Sequence, residues 1–117
     1  MRSADPDCIF CKIVAGDIPA KVMYEDDEIL AFEDIEPQAP VHILLIPKKH
    51  FSTLNDLTGA DAPMLGKLAV KAADLAKEKG VAEGGYRVLV NANPEGGQVV
   101  FHLHMHLMGG RRMGRMG

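Results

Sequence analysis

The stretch VFHLHMHLMGG, residues 100–110, alternates histidine with apolar residues and holds three of the chain's five histidines. A β-strand points successive side chains to opposite faces, so His102, His104 and His106 are expected on one face. In a helix only the first and last of them would roughly align, and the two β-branched valines before them also favour a strand. The opposite face is expected in the core and consists of Leu103, Met105 and Leu107. The pattern therefore predicts a last strand over residues 99–107.

The spacing of the three histidines limits what they can do together. On a straight strand the outer two, His102 and His106, would lie about 13 Å apart, which is two steps of about 6.6–6.8 Å. A zinc ion needs its nitrogen ligands at about 2.0–2.1 Å, so a site made of all three is disfavoured. A solvent-exposed polar face is one alternative. A largely neutral imidazole at pH 7 is nucleophilic, and the pattern favours catalysis.

A glycine-containing loop, NANPEGGQ at residues 91–98, comes directly before the histidines. Gly96 and Gly97 permit backbone conformations that turn N–H groups into a concavity, which binds phosphate without Lys or Arg. Gln98 and Asn91 add neutral donors. An ordinary hairpin turn is the alternative, but the position beside the histidines favours a phosphate site.

Three further segments predict the remaining strands. KVMYEDDEILAFED (21–34) has the pattern of two strands around an acidic turn. PVHILLIP (40–47) is apolar on both faces, as in a central strand, and YRVLVNA (86–92) predicts another strand. With the histidine segment, these strands form a five-stranded, mainly antiparallel sheet.

One long helix is predicted over TGADAPMLGKLAVKAADLAKEKG (58–80), where apolar residues recur at helical spacing. Asp61 is the expected N-cap, and Gly80 is expected just after the C-terminus. Residues 9–15 predict a short helical turn. The fold class is therefore α+β, with the long helix on one face of the sheet.

Composition indicates one domain and narrows the class of partner. The 117 residues are 47% hydrophobic, enough for one core, and the net charge of −3 argues against a general binder of nucleic acid or anionic membranes. No signal-peptide region and no run of roughly 20 apolar residues is visible, and two cysteines make no disulfide framework. A cytoplasmic location is expected. We predict a single domain over 1–117, with flexible tails at 1–7 and 111–117.

HLHMHLM (102–108) resembles the signature of the histidine triad (HIT) family of nucleotide hydrolases and transferases. The segments IFCKIVAGDIPAKVMYEDDEILAFEDIEPQAPVHILLIPKKH and GYRVLVNANPEGGQVVFHLHMHLMGGR resemble its Hint branch, the purine nucleoside phosphoramidases. The resemblance runs from about residue 8 to residue 112. It implies a HIT-like fold that dimerises into a ten-stranded sheet. It also implies hydrolysis of AMP–amine or GMP–amine conjugates without a catalytic cofactor.

The resemblance implies a role for each histidine of the site. His104, the middle histidine, attacks phosphorus and forms a transient nucleotidyl-histidine that water hydrolyses. His106 contacts the phosphate, and His42 and His102 flank the nucleophile. Imidazole suits this two-step reaction because it is both a good nucleophile and a good leaving group.

The substrate-binding residues are also implied by the resemblance. Asp34 matches a ribose-binding carboxylate. The purine slot consists of Ile9, Phe10, Phe32 and Ile35, and the phosphate loop of Asn91, Gly97, Gln98 and Val99. Many animal members have serine where this chain has Val99, so the leaving group loses a side-chain donor there.

Cys8 and Cys11 form a C-x-x-C pair that most animal Hint proteins lack. HIT relatives, including many bacterial members, complete a structural zinc site with two histidines, which here match His50 and His102. Two unpaired buried thiols and a redox pair are the alternatives, although a redox pair normally follows a strand.

Two other functions compete with the phosphoramidase. One is a dinucleoside polyphosphate hydrolase of the Fhit branch. The segments GGQVVFH and LMGGRR resemble the Hint branch more than the Fhit branch. The other is a non-catalytic adaptor that binds purine nucleotides and acts through partners.

Overall fold

The computed structural model describes residues 5–116, which form a five-stranded sheet and two helices. The strands are β1 (Val22–Glu25), β2 (Ile29–Glu33), β3 (Val41–Pro47), β4 (Tyr86–Val90) and β5 (Met105–Gly109). The helices are α1 (Ile9–Ala15) and α2 (Ala62–Glu78), with short 3-10 turns at Leu54–Asp56, Gly59–Asp61 and Pro94–Gly96. The predicted α+β class is confirmed.

The sheet has the order β1-β2-β3-β5-β4, and each neighbouring pair is antiparallel. β3 is the central strand, as its two apolar faces predicted, and six of its seven residues are buried. The acidic turn between β1 and β2 is also present. Its first residue, Asp26, accepts hydrogen bonds from the backbone N–H groups of Glu28 and Ile29 at 2.8 and 2.9 Å.

The long helix α2 covers one face of the sheet. Its buried side chains Leu68, Ala72 and Leu75 pack in one cluster with residues such as Leu45 and Leu107. The helix ends as predicted, because Gly80 has φ +75° and donates its N–H to Lys77 O at 3.1 Å. Among residues 5–116, no helix has the length and apolar character needed to cross a membrane.

Asp61 occupies the N-cap position of α2, as predicted, but its side chain does not cap the helix. Its backbone has a helical conformation. Its carboxylate instead accepts from the backbone N–H of Thr58 at 2.9 Å, because a 3-10 turn runs directly into the helix. Thr58 caps this 3-10 turn, and its Oγ1 accepts from Ala60 N at 3.3 Å.

The last strand begins six residues later than predicted, at Met105 rather than residue 99. Upstream of it the backbone forms other bonds, since Leu103 N–H donates to Phe51 O at 2.6 Å. Leu103 and Met105 still lie in the core and His102 and His104 on the other side, so the predicted alternation is confirmed without a sheet ladder at residues 99–104.

The short helix α1 lies on the sheet face opposite α2. Phe10 and Cys11 pack there in a second cluster with Phe32, Leu44 and other residues of β2 and β3. Flexibility of the two tails stays a prediction, and residues 1–4 and 117 lie outside the described residues. Within the C-terminal tail, Gly114 O accepts from the Arg87 guanidinium at 2.6 Å.

Candidate active site and adjoining Cys/His cluster

A cavity of about 460 Å³ opens between α1 and the ends of the central strands. The predicted residues that line it are Ile9, Phe10, Phe32, Asp34, Ile35, His42, Val99, His104 and His106. The structure therefore brings together nine residues that are far apart in sequence. Asn91, Gly97, Gln98 and His102 do not line this cavity.

His104 is held so that one ring nitrogen faces the cavity without a proton. Its Nδ1 lies 2.7 Å from the carbonyl oxygen of His102. A carbonyl only accepts, so Nδ1 carries the proton and Nε2 keeps a free lone pair. Burial lowers the pKa of His104, which keeps the ring neutral near pH 7. His104 therefore has the protonation state of a nucleophile.

His106 has the opposite arrangement, and His42 is the cause. The backbone N–H of Gln38 donates to His42 Nδ1 at 3.0 Å, so His42 carries its proton on Nε2. That nitrogen lies 3.0 Å from His106 Nδ1, which accepts, and the His106 proton is therefore on Nε2. Burial lowers the pKa of His106 to about 4. His106 is thus a neutral hydrogen-bond donor beside the nucleophile.

Asp34 lies at the mouth of the cavity with its carboxylate oriented. One oxygen accepts from Glu36 N–H at 2.9 Å, and the other is 3.5 Å from His42 Nε2. A carboxylate held in this way has acceptor capacity left for a pair of hydroxyl groups. This position agrees with the predicted ribose contact, which stays a prediction.

The apolar part of the cavity is lined by aromatic and aliphatic side chains. Phe10 and Phe32 pack edge to face with centroids 5.5 Å apart, and Phe10 contacts the His104 ring at 5.1 Å. Ile9 is partly exposed and Ile35 is 89% exposed, so both leave apolar surface uncovered at the opening. Exposed apolar groups beside a cavity are typical of a ligand site.

The predicted phosphate loop has its expected turn but uses Gln98 differently. The Gln98 side chain is buried and donates to Ser52 O at 2.7 Å and Val100 O at 3.0 Å, while its oxygen accepts from Asn93 N. The expectation that this side chain provides a free phosphate donor is therefore wrong. Its amide stabilises the loop, because the loop's inner backbone groups need partners.

Gly97 and Val99 belong to the same predicted phosphate loop, and their contact with phosphate stays a prediction. Gly97 has φ +91°, and a Cβ built there would lie 3.6 Å from the Asn91 side-chain nitrogen. Glycine is favoured here because L side chains rarely adopt this conformation. Val99 is 84% exposed and presents its side chain at the cavity edge.

The Cys8, Cys11, His50 and His102 side chains converge at one buried point. The Cys8 and Cys11 sulfurs lie 3.4 and 3.5 Å from His102 Nδ1, and His50 Nδ1 lies 3.3 Å from the Cys11 sulfur and 3.2 Å from His102 Nδ1. Ligands around a tetrahedral zinc ion are separated by about 3.3–3.8 Å, given bonds of about 2.3 Å to sulfur and 2.0–2.1 Å to nitrogen. These four separations are close to those of a zinc site, and all four ligand atoms lie within 4.8 Å of one another.

The protonation of His102 also fits a metal ligand. Its Nε2 donates to Pro47 O at 2.8 Å, so Nδ1 is the unprotonated nitrogen and points at the sulfurs. Burial lowers the pKa of His102 to about 4. Burial also raises the pKa of the Cys11 thiol, which is the expected effect of an apolar site on a group without a cation nearby.

A second group with metal-ligand spacing, Asp34, His42 and His106, does not have this chemistry. The Gln38 N–H group occupies His42 Nδ1, so the nitrogen facing the group carries a proton. Metal binding at that nitrogen would require an imidazolate or an unfavourable contact between two donors. These residues fit a hydrogen-bond chain better than a cation site.

Sequence reasoning missed several apolar lining residues of the cavity, namely Ile13, Ile18, Leu44 and Val100. Two of them carried a readable signal. Ile13 is four residues after Ile9 on α1, and Leu44 is two after His42 on β3, so each shares a face with a predicted site residue. The role of Gln38 had no signal, because only its backbone acts.

Comparison with known proteins gives one consistent result. The HIT domain family matches residues 15–113. Purine nucleoside phosphoramidase of Escherichia coli K12 is 48% identical over 108 residues, which covers 92% of this chain and 91% of that protein. Protein HitA of Neisseria gonorrhoeae is 50% identical over 102 residues, 87% of this chain and 94% of that protein.

Solved structures agree with the sequence comparison. A HIT family hydrolase from Legionella pneumophila has a TM-score of 0.93 at 51% identity, over 95% of this chain and all of that one. A histidine triad protein from Clostridium difficile also has a TM-score of 0.93, at 43% identity, over 97% and 98% of the two chains. The HIT-like fold is thereby confirmed. The chain is a member of the HIT domain family.

Proposed function

We propose that this protein hydrolyses the P–N bond of purine nucleoside 5′-monophosphoramidates to a nucleoside monophosphate and an amine. The observation that carries the proposal is the pair of opposite tautomers at His104 and His106 on the wall of one cavity. One imidazole offers a lone pair and its neighbour offers a proton donor, which is what in-line attack on a phosphoryl centre needs. The E. coli relative named purine nucleoside phosphoramidase supports the choice of substrate.

The first step forms the covalent intermediate. His104 Nε2 attacks phosphorus, the P–N bond breaks, and the departing nitrogen takes up a proton to leave as the amine. His106 Nε2–H donates to a phosphoryl oxygen, which gains negative charge in the transition state. The substrate nitrogen already carries hydrogen, and the missing proton comes from solvent or from the site.

The second step releases the nucleotide. Water attacks the phosphorus of the nucleotidyl-histidine, the bond to His104 Nε2 breaks, and the water oxygen loses a proton to solvent, which balances the proton taken up by the amine. His104 regains its lone pair while Nδ1–H stays bonded to the His102 carbonyl. Over both steps one water molecule replaces the amine, and no cofactor takes part.

The base and ribose are assigned to the rest of the cavity. Phe10, Phe32, Ile9 and Ile35 hold the purine, and Asp34 accepts from the ribose hydroxyls. The backbone around Gly97 and Val99 binds phosphate together with Asn91.

A structural zinc ion is proposed at Cys8, Cys11, His50 and His102, supported by the ligand spacing and by the free Nδ1 of His102. When bound, the ion fixes the position of α1 and supplies no reaction chemistry. Two free thiols facing two imidazoles fit a reducing compartment, so we also propose a cytoplasmic location.

A homodimer is proposed through the free edge of β4. Tyr86 and Val88 of this strand and Val70 of α2 are exposed apolar residues. The other edge strand, β1, has an irregular register between Val22 and Tyr24, and bulges of this kind discourage pairing. Antiparallel pairing of two β4 strands would join the sheets into one of ten strands.

The experiment that tests the function is hydrolysis of adenosine 5′-phosphoramidate by the wild type and by His104→Ala. We expect turnover by the wild type and a loss of at least about 10³-fold in the variant, with AMP still bound by both. Equal rates in the wild type and in His104→Ala would show that His104 is not the nucleophile. A folded wild type that binds AMP without turnover would support the nucleotide-binding adaptor instead.

A further inference from the structure

The segment after β5 contacts the turn before β3, where Gln38 lines the proposed active-site cavity. Arg111 donates from Nε and Nη2 to the carbonyl oxygen of Gln38, at 3.1 and 2.8 Å. Its third nitrogen donates to Arg112 O at 2.9 Å, which fixes the orientation of the guanidinium. The guanidinium of this exposed side chain thus donates three hydrogen bonds to two main-chain carbonyl oxygens.

The preceding residue, Gly110, brings this segment close to the same turn. Gly110 has φ +94°, and a Cβ built on it would lie only 2.9 Å from Pro40 Cβ. A larger residue would therefore strain the backbone and also push against the proline ring. Gly110 and Arg111 together form a clasp on the turn of Gln38 and Pro40.

The turn acts directly on the catalytic histidines. The N–H of Gln38, the same residue whose carbonyl Arg111 holds, donates to His42 Nδ1 at 3.0 Å. This bond places the His42 proton on Nε2, and His42 in turn places the His106 proton on the nitrogen that faces the cavity. Titratable groups around the pair are Asp34 and His104, and both adjoin the same cavity.

We propose that Arg111 is a positioning residue for catalysis, because it holds Gln38 and thereby fixes the tautomers of His42 and His106. The phosphoramidase proposed above uses His106 Nε2–H as the phosphate donor, and the inference rests on that function. Without the clasp, the Gln38 N–H moves off His42, and Nδ1 of His42 becomes free to carry the proton. His106 then turns a lone pair toward the phosphate oxygens, which repel it.

The direct test is the tautomer state of the two histidines, read from long-range 1H–15N spectra of ¹⁵N-labelled protein. In the wild type we expect protons on Nε2 of His42 and of His106. In Arg111→Ala we expect a mixture of tautomers at both rings, and Gly110→Ala should give the same change by displacing the turn. Arg112→Ala is the matched control, since it removes an equal charge one residue away.

Kinetics give a second, separate readout. On adenosine 5′-phosphoramidate we expect kcat/KM to fall about tenfold in Arg111→Ala, less than the full loss of an oxyanion donor because one tautomer remains productive part of the time. Arg111→Lys should restore part of the rate. The lysine ammonium can still donate to the Gln38 carbonyl oxygen, but it lacks the planar guanidinium that forms two hydrogen bonds there. Arg112→Ala should match the wild type.

Unchanged tautomers in Arg111→Ala would overturn the inference, as would equal changes in Arg112→Ala. The spectra need no turnover, so the two proposals fail separately. If the wild type hydrolyses no phosphoramidate but Arg111→Ala still changes the tautomers, the proposed activity is overturned and the positioning role of Arg111 is kept.

Discussion

His104 and His106 are two residues apart, yet they carry their protons on opposite nitrogens. The carbonyl of His102 determines the first, and the Gln38–His42 chain determines the second. The sequence predicted that these histidines share a face. It did not predict their tautomers, because the acceptor and the donor are backbone groups of other segments and carry no side-chain signal.

The proposed donor role of His106 predicts an order among its variants. A glutamine amide can place an N–H near the position of the imidazole Nε2, whereas alanine leaves no donor. We expect kcat/KM to fall about 10²-fold in His106→Ala, the usual effect of losing one donor to a developing oxyanion, and less in His106→Gln. Steady-state kinetics check this, and equal losses in both variants would contradict it.

Val99 predicts a gain of function. Its side chain is 84% exposed at the cavity edge, so Val99→Ser adds a hydroxyl without disturbing the core. We expect rates up to about tenfold higher on phosphoramidates of alkyl amines, which are poor leaving groups. Phosphoramidates of anilines, which are better leaving groups, should change little. Val99→Ala is the control, and a similar gain there would show that size rather than the hydroxyl is responsible.

At the scale of elements, the β1–β2 turn depends on one carboxylate. Asp26 accepts from two backbone N–H groups, from the Tyr24 hydroxyl at 2.8 Å and from Lys67 of α2 at 2.8 Å. We expect Asp26→Ala to lower the free energy of unfolding by about 1–2 kcal/mol in urea titrations. Asp27→Ala, its exposed neighbour, should change stability by less than about 0.5 kcal/mol.

The same turn predicts a pH dependence. The bonds from Lys67 and the backbone hold the pKa of Asp26 well below its usual range. A depressed folded-state pKa stabilises the protein at pH values above the unfolded pKa of about 3.9, and this contribution is lost as the pH falls further. The difference in the free energy of unfolding between wild type and Asp26→Ala should therefore be largest at pH 7 and decrease below about pH 4.

The proposed zinc site predicts how α1 responds to removal of the metal. Cys8 and Cys11 bracket Ile9 and Phe10, so the residues proposed to bind zinc would also position the proposed purine slot. We expect zinc in native mass spectra, and after chelation a lower Tm and an AMP Kd raised about tenfold. Freely alkylated thiols and an unchanged Kd without metal would contradict this account.

Sequence patterns determined the elements better than their ends. Two apolar faces identified β3 as central, and helical spacing with Gly80 located α2. The start of β5 could not be read, since Leu103 bonds to Phe51 instead of a neighbouring strand. Alternation of apolar and polar residues indicates only which face each side chain lies on. A strand assignment also requires backbone hydrogen bonds to a neighbouring strand.

At the scale of the whole molecule, the free β4 edge predicts the assembly state. Val88 is 39% exposed on this edge, and a lysine there would place like charges opposite each other across a two-fold axis. We expect a dimer for the wild type and a monomer for Val88→Lys in sedimentation equilibrium. Val22→Lys on the β1 edge is the matched control and should remain dimeric.

The central claim is that His104 becomes covalently bonded to the nucleotide. The measurement that tests it most directly is peptide mass spectrometry of wild-type protein mixed with adenosine 5′-phosphoramidate and quenched within milliseconds. The account predicts an added AMP group on the peptide containing residues 102–106, localised to His104 and absent from His104→Ala. Rapid turnover with no adduct at any quench time, or an adduct on His106, would contradict it.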